Sequence, residues 1–280
     1  MGSPILAIFV ILLWPQGLGS SSAVSCARLR PQAETVSIQG FAVRIGPALN
    51  KKRTNREGRW CRAEVRDSKG HTIFGAETAA MEIHRATGKD INGDGNPDLV
   101  IEGYTGGAHC CWIYWIVSLG PQPGLLTTIY NERDASFIED EYGAIQISTR
   151  HGAFDYFDGL PHSNTFFPLV VLRLEGNELR NISSQFWDSY QREIEEARRR
   201  LAPSDLARFR AGEGLGSKDY DFLETKRLVL TIVLSYLYGG RPEEAWKVLE
   251  EMWPSRDQER IRNLILETRR QGILRNTTGR

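Results

Sequence analysis

Residues 90–98 read Asp-Ile-Asn-Gly-Asp-Gly-Asn-Pro-Asp, and their spacing is that of a loop able to hold a hard cation. Side-chain oxygens fall at loop positions 1, 3, 5 and 9, on Asp90, Asn92, Asp94 and Asp98. Asn96 at position 7 would add its backbone carbonyl, and Gly95 at position 6 permits the sharp turn. Calcium takes six to eight oxygen ligands, and alternate side chains of a tight loop converge on one point to supply them. Nitrogen and sulfur ligands are absent from the loop, which disfavours zinc and copper. The expected metal set is therefore Asp90, Asn92, Asp94, Asn96 and Asp98, with calcium as the ion. Its expected role is structural. Carboxylates crowded together repel one another without the ion, so the ion would tighten the strands that flank it.

Position 12 is Ile101, where an EF-hand has a bidentate Glu, and Leu99-Val100-Ile101 reads as a strand where an EF-hand has a helix. The pattern Asp-x-Asn-x-Asp-Gly-x-x-Asp running into an apolar strand resembles the calcium loops of FG-GAP/VCBS-type repeats. The likeness covers residues 85–102 and the strands that follow, in a single copy. It implies a strand-linked calcium loop on an extracellular domain, and it implies no catalytic activity.

Other groups along the chain have residue types suited to chemistry. Gly106-Gly107-Ala108-His109-Cys110-Cys111 could form a thiol or metal site, but its spacing is not Cys-x-x-Cys, and a disulfide is the expected fate. Because neighbours on a strand point to opposite faces, Cys110 and Cys111 are expected to have different partners. The preferred bridge is Cys61–Cys110 or Cys61–Cys111, with Cys26 left for the other cysteine or for lipid. Asp134, Glu139, Asp140 and Glu141 form an acidic stretch, and His151, Asp155 and Asp158 add acid/base groups. Paired carboxylates there would suit a secreted hydrolase. Phe154, Tyr156, Phe157, Phe166 and Phe167 would line either a core or a groove for carbohydrate or peptide. The chain has no G-x-S-x-G, HExxH or Walker A loop, so no residue is singled out as catalytic.

The elements that must position these groups change character near residue 184. Before it, short alternating segments at residues 36–45, 59–66, 71–74, 81–84, 98–104, 110–119, 125–130, 144–149 and 169–174 read as strands. Their close spacing favours antiparallel meanders, since a parallel crossover needs a dozen or more residues. After it, residues 189–201, a short helix from Pro203, and residues 222–238, 242–253 and 257–270 carry helical periodicity. The segment from Tyr236 through Gly239, Pro242 and Trp246 to Leu249 is similar to one helix-turn-helix unit of the tetratricopeptide repeat. The expected fold is α+β. An antiparallel β domain (residues 26–184; a meander, sandwich or partial-propeller-like arrangement) precedes a small helical domain (residues 185–280).

Residues 1–25 read as a secretory signal peptide. No charged side chain occurs before Arg28, and the apolar run at residues 4–14 is too short to span a bilayer, which needs about 20 residues. Ala23-Val24-Ser25-Cys26 also resembles a relaxed lipobox, which would make Cys26 a lipid anchor. The expected location is outside the cell, in the periplasm or lipid-anchored to the envelope, without a transmembrane span in the mature protein. Formal net charge is zero, with 35 basic and 35 acidic residues, which argues against nucleic acid as a partner. The reading that results is an exported, non-enzymatic, calcium-stabilised protein that binds a protein or carbohydrate ligand or organises the cell surface. Its alternative is a secreted hydrolase with a structural calcium ion.

Overall fold

The computed structural model describes residues 25–26, 33–48, 60–107, 109–213 and 220–278. The signal-peptide run at residues 4–14 and the cleavage stretch up to Val24 lie outside the described residues. The fold is α+β, with strands first and helices after.

Three consecutive four-stranded antiparallel meanders make the β region. The first contains β2 (Glu34–Ile38), β3 (Phe41–Pro47), β4 (Cys61–Arg66) and β5 (Thr72–Thr78). The second contains β6 (Ala80–Ile83), β7 (Asp98–Tyr104), β8 (Trp112–Ser118) and β9 (Gly124–Asn131), with the short β1 (Ser25–Cys26) added at its β6 edge. The third contains β10 (Ala135–Glu139), β11 (Ile145–Arg150), β12 (Leu169–Glu175) and β13 (Glu178–Asn181). Residues 36–45, expected as a single alternating run, are a hairpin. Gln39 and Gly40 both take positive φ (50° and 83°), the two-residue turn whose twist matches its flanking strands.

The second meander is buried on both faces, and period-2 alternation sorts its side chains between two cores. Leu99, Ile101, Trp115 and Val117 point into one core with Val43, Ile45, Ala63, Val65 and Phe74 of the first meander. Val100, Tyr114, Ile116 and Ile129 point into the other, with Phe137, Ile147, Val170 and Leu172 of the third. This double burial explains the nearly continuous apolar run of β8.

The helices are α1 (Trp187–Arg200), α2 (Pro203–Arg210), α3 (Tyr220–Tyr238), α4 (Pro242–Met252) and α5 (Gln258–Arg269). From Leu228 to Leu234 α3 is buried at nearly every position, as a helix surrounded by other elements must be. Gly239-Gly240 ends α3, and α4 opens with Pro242 in its first turn beside Glu243 and Glu244, which suit the positive end of the helix dipole. Apolar residues of the helices join the same cluster as the third meander, including Tyr190, Ile194, Val233, Leu249 and Ile265. Strands and helices therefore share that core. Among the described residues no helix is long and apolar enough to cross a membrane.

Candidate calcium site

The loop between β6 and β7 is closed at its neck before any side chain contributes. Gly88 N–H donates to the Asp98 carbonyl at 2.8 Å, and Asp98 N–H donates to the Lys89 carbonyl at 2.8 Å. Thr87 Oγ1 reaches across the same neck to the Val100 carbonyl (3.2 Å) and accepts the Val100 N–H (3.1 Å). Between these stems the chain turns through Gly93 and Gly95, both left-handed at φ 77° and 82°, where a side chain would be strained.

The oxygen-bearing residues sit inside this turn. Asp90 Oδ1 accepts the N–H groups of Gly93 (2.8 Å) and Asp94 (3.1 Å), while Oδ2 accepts that of Gly95 (2.7 Å). Asn92 is buried, its Oδ1 accepting Asp94 N–H at 3.2 Å and its amide donating to Asp94 Oδ2 at 3.2 Å. Asp94 Oδ1 accepts the N–H of Asn96 at 2.8 Å. Asp98 is fully buried, and its Oδ2 accepts the Ile91 N–H at 2.8 Å. Its other oxygen, Oδ1, has no hydrogen-bond partner.

That orphaned oxygen is the test of fit for a cation. A buried carboxylate oxygen without a partner is costly, because water has been removed and nothing replaces it. Burial lifts the Asp98 carboxyl to about 6 against the opposing Ile91 and Asn92 N–H groups, and the nearby Asp94 and Asp90 charges push it up with burial. Each carboxylate oxygen has two lone pairs, so those taken by one N–H retain a site for a metal. The donor set is all oxygen, as calcium requires. Among the described residues no three His, Cys, Asp or Glu side chains converge as a metal cluster by themselves. That includes Asp90, Asp94 and Asp98, whose carboxylates instead accept backbone N–H groups of their own turn.

The loop is also stitched to its surroundings. Gly176 N–H, in the β12–β13 turn, donates to the Asn92 carbonyl at 3.2 Å, and Lys89 pairs with Glu139 at 2.6 Å. Leu119 N–H donates to the Pro97 carbonyl at 3.2 Å. A Cβ on Gly120 would meet Asn96 Cγ at 2.9 Å, so glycine there permits the close approach. Ile91 is buried in the larger core. The loop thus spans the join between the second and third meanders.

The cysteine pairing differs from expectation. Cys61 bonds to Cys26, with Cα atoms 5.9 Å apart, and not to Cys110 or Cys111, which bond to each other. Cys26 and Cys61 both project into the smaller core, where β1 lies on the β6 edge. The expectation of separate partners for Cys110 and Cys111 assumed strand alternation, but β8 begins only at Trp112, after the pair. One sulfur cannot carry both a disulfide and a lipid thioether, so the Cys26–Cys61 bridge and a lipid anchor at Cys26 exclude each other.

The acid/base groups downstream are engaged in packing. His151 is fully buried, accepting from Tyr238 O–H at Nδ1 and donating from Nε2 to the Gln271 carbonyl at 3.0 Å. The carbonyl can only accept, which places the imidazole proton on Nε2. Burial, with the Arg269 charge added, holds this imidazole down to about 4 against the Gln271 bond. Asp158, half-buried, pairs with Lys226 (2.6 Å) and Arg260 (2.7 Å), and Asp155 pairs with His162 at 2.8 Å. In the acidic stretch, Asp140 Oδ1 caps its own turn through Tyr142 and Ala144 N–H, and its Oδ2 meets Arg173 at 3.2 Å. Phe154 and Phe157 are core, while Tyr156 is exposed. His109 stacks on His162 with ring centroids 4.1 Å apart.

Sequence reading did not single out Glu102. Antiparallel register places it directly opposite Glu82, and burial, then Glu82 and Asp134, push its carboxyl up to about 7. Nothing in the residue pattern signals this, because it depends on which strands pair. No protein-family model, curated protein or solved structure matches the chain.

Proposed function

We propose that the chain is an exported, non-enzymatic binding protein whose β region is held together by one calcium ion in the loop of residues 90–98. The observation that carries this reading is the fully buried, unpartnered Asp98 Oδ1, on a carboxyl that the Asp94 and Asp90 charges of the same loop act upon. Asp90, Asn92, Asp94 and Asp98 would hold the ion with side-chain oxygens and Asn96 with its carbonyl. The ion supplies the positive charge that three acids in one turn otherwise lack. The loop spans two meanders, so the free energy of binding would act on their join and not on a reacting group.

Export is supported by the short apolar N-terminal run and by the Cys26–Cys61 bridge, a kind of bond that persists in oxidising compartments. The non-enzymatic part is supported by the engagement of His151, Asp155, Asp158 and Asp140 in structural contacts.

The expected result in thermal melts is a higher Tm in millimolar calcium than in chelator. A ligand at a hundredfold over its Kd adds about 2.7 kcal/mol, which for a chain of this size is roughly 5–10 °C. Superimposable melting curves would remove the structural site.

A further inference from the structure

We propose that a cleft at the opposite end of the third meander binds a small organic monocarboxylate with an apolar body. The calcium loop lies beside Ile145 and Gly176, whereas this cleft opens beside Arg150, at the other end of β11. The inference therefore goes beyond the calcium reading and does not depend on it.

The cleft has a volume of about 330 Å³ and lies where the β9–β10 turn and residues 165–167 face α1 and α3. That volume is at the lower end of small-molecule sites, which run from about 300 to 1,000 Å³ and favour junctions between structural units. Phe166, Phe167, Ala197 and Leu228 supply its apolar lining.

Charge decides the ligand class. Four guanidiniums line the cleft and its continuation, from Arg133, Arg150, Arg200 and Arg227, against three carboxylates, from Glu193, Glu196 and Glu224. Arg150 pairs closely with Glu193 at 2.6 Å. Arg200 and Arg227 both use Glu224 Oε1, at 2.7 and 2.6 Å, and Glu196 stands off from Arg200 at 3.9 Å. Arg133 has no carboxylate partner among the described residues; its guanidinium lies over the Phe167 ring, 3.9 Å from the centroid. A guanidinium stacked by its face keeps its edge N–H groups available, in the fork geometry that matches a carboxylate. Phe167 is itself held, because its carbonyl accepts from Arg150 Nη1 at 3.1 Å. With Glu193 taken by Arg150 and Glu224 by Arg200 and Arg227, the stacked Arg133 is the guanidinium left to meet an anion, and a single fork suits a monocarboxylate. The three glutamates would repel a dianionic phosphate or a nucleic-acid backbone.

The probes are hexanoate, benzoate and 4-phenylbutyrate, each compared with its neutral amide by calorimetric titration of the whole protein. At least one acid is expected to bind, with its amide roughly tenfold weaker or worse, the factor that 1.4 kcal/mol represents. Arg133→Gln is expected to weaken the acid by a similar factor, and Arg66→Gln, at the exposed end of β4 in the first meander, to leave it unchanged. Glu196→Gln, which removes an exposed repelling charge without touching the stacked arginine, is expected to tighten it a few-fold. Failure of all three acids to bind at millimolar concentration overturns the proposal. So does equal binding of acid and amide, or affinity unmoved by both Arg133→Gln and Glu196→Gln.

Discussion

Replacing Cys26 and Cys61 together by alanine will lower the stability of the protein by about 4 kcal/mol, the chain-entropy value for a bridge closing a loop of this length. The two cysteines are 35 residues apart in sequence, so the bridge removes many conformations from the unfolded chain. Both sulfurs are buried in the smaller core with Val43, Val65 and Leu99, and alanine leaves a small cavity there without introducing a polar group. For a chain of this size the loss corresponds to a fall in Tm of roughly 8–16 °C, and reduction of the wild type should reproduce most of it. A double variant melting with the oxidised wild type would show that the bridge contributes nothing. The Cys110–Cys111 pair closes no loop, so removing it should cost far less.

His151→Gln will destabilise the protein at neutral pH and abolish part of its pH dependence. In the folded chain His151 stays neutral down to about 4, while in the unfolded chain it takes up its proton near its ordinary value of about 6.5. Between these values the unfolded state binds more protons. The stability associated with the neutral imidazole is therefore complete above 6.5 and lost as pH falls through 4, by ~3 kcal/mol in all. Glu102 runs the other way. Its carboxyl is raised to about 7 when folded, so its contribution is complete below the unfolded carboxylate value and lost as pH rises through 7. The two slopes oppose in the wild type, and the difference between wild type and His151→Gln isolates the histidine. Urea unfolding of both proteins from pH 7.5 to 4 should show that difference shrinking with acidity. A constant difference would mean that His151 is not held neutral by burial. At pH 7 the variant also loses a bond to the buried Tyr238 hydroxyl or to the Gln271 carbonyl, at about 1–3 kcal/mol for a group left unpaired.

The elements were largely legible because their residues follow simple periods. Asp98–Tyr104 is a strand at the residues expected for it, and α1, α3, α4 and α5 lie within a few residues of their periodic segments. β10 was missed because Asp134 and Glu139 frame it, so the segment reads as an acidic run although Phe137 is core. The cysteine pairing was misjudged because it depends on where β1 docks, and a two-residue strand carries no periodic signal. The metal candidate was legible because all its donors lie within nine consecutive residues. Neither the Glu82–Glu102 opposition nor the four-arginine cleft is local. The cleft arginines come from the β9–β10 turn, β11, α1 and α3, and only the packed chain brings them together.

Calcium uptake by the loop around Asp98 is the most direct test of a structural ion there. Chelator-stripped protein titrated with calcium in a calorimeter should take up a single ion per chain. Asp94→Asn, which leaves the buried Asp98 and the neck of the loop in place, should weaken that uptake at least tenfold through loss of one charged ligand. A wild-type protein that takes up no calcium at millimolar concentration, or whose uptake is indifferent to Asp94→Asn, would contradict the assignment of residues 90–98.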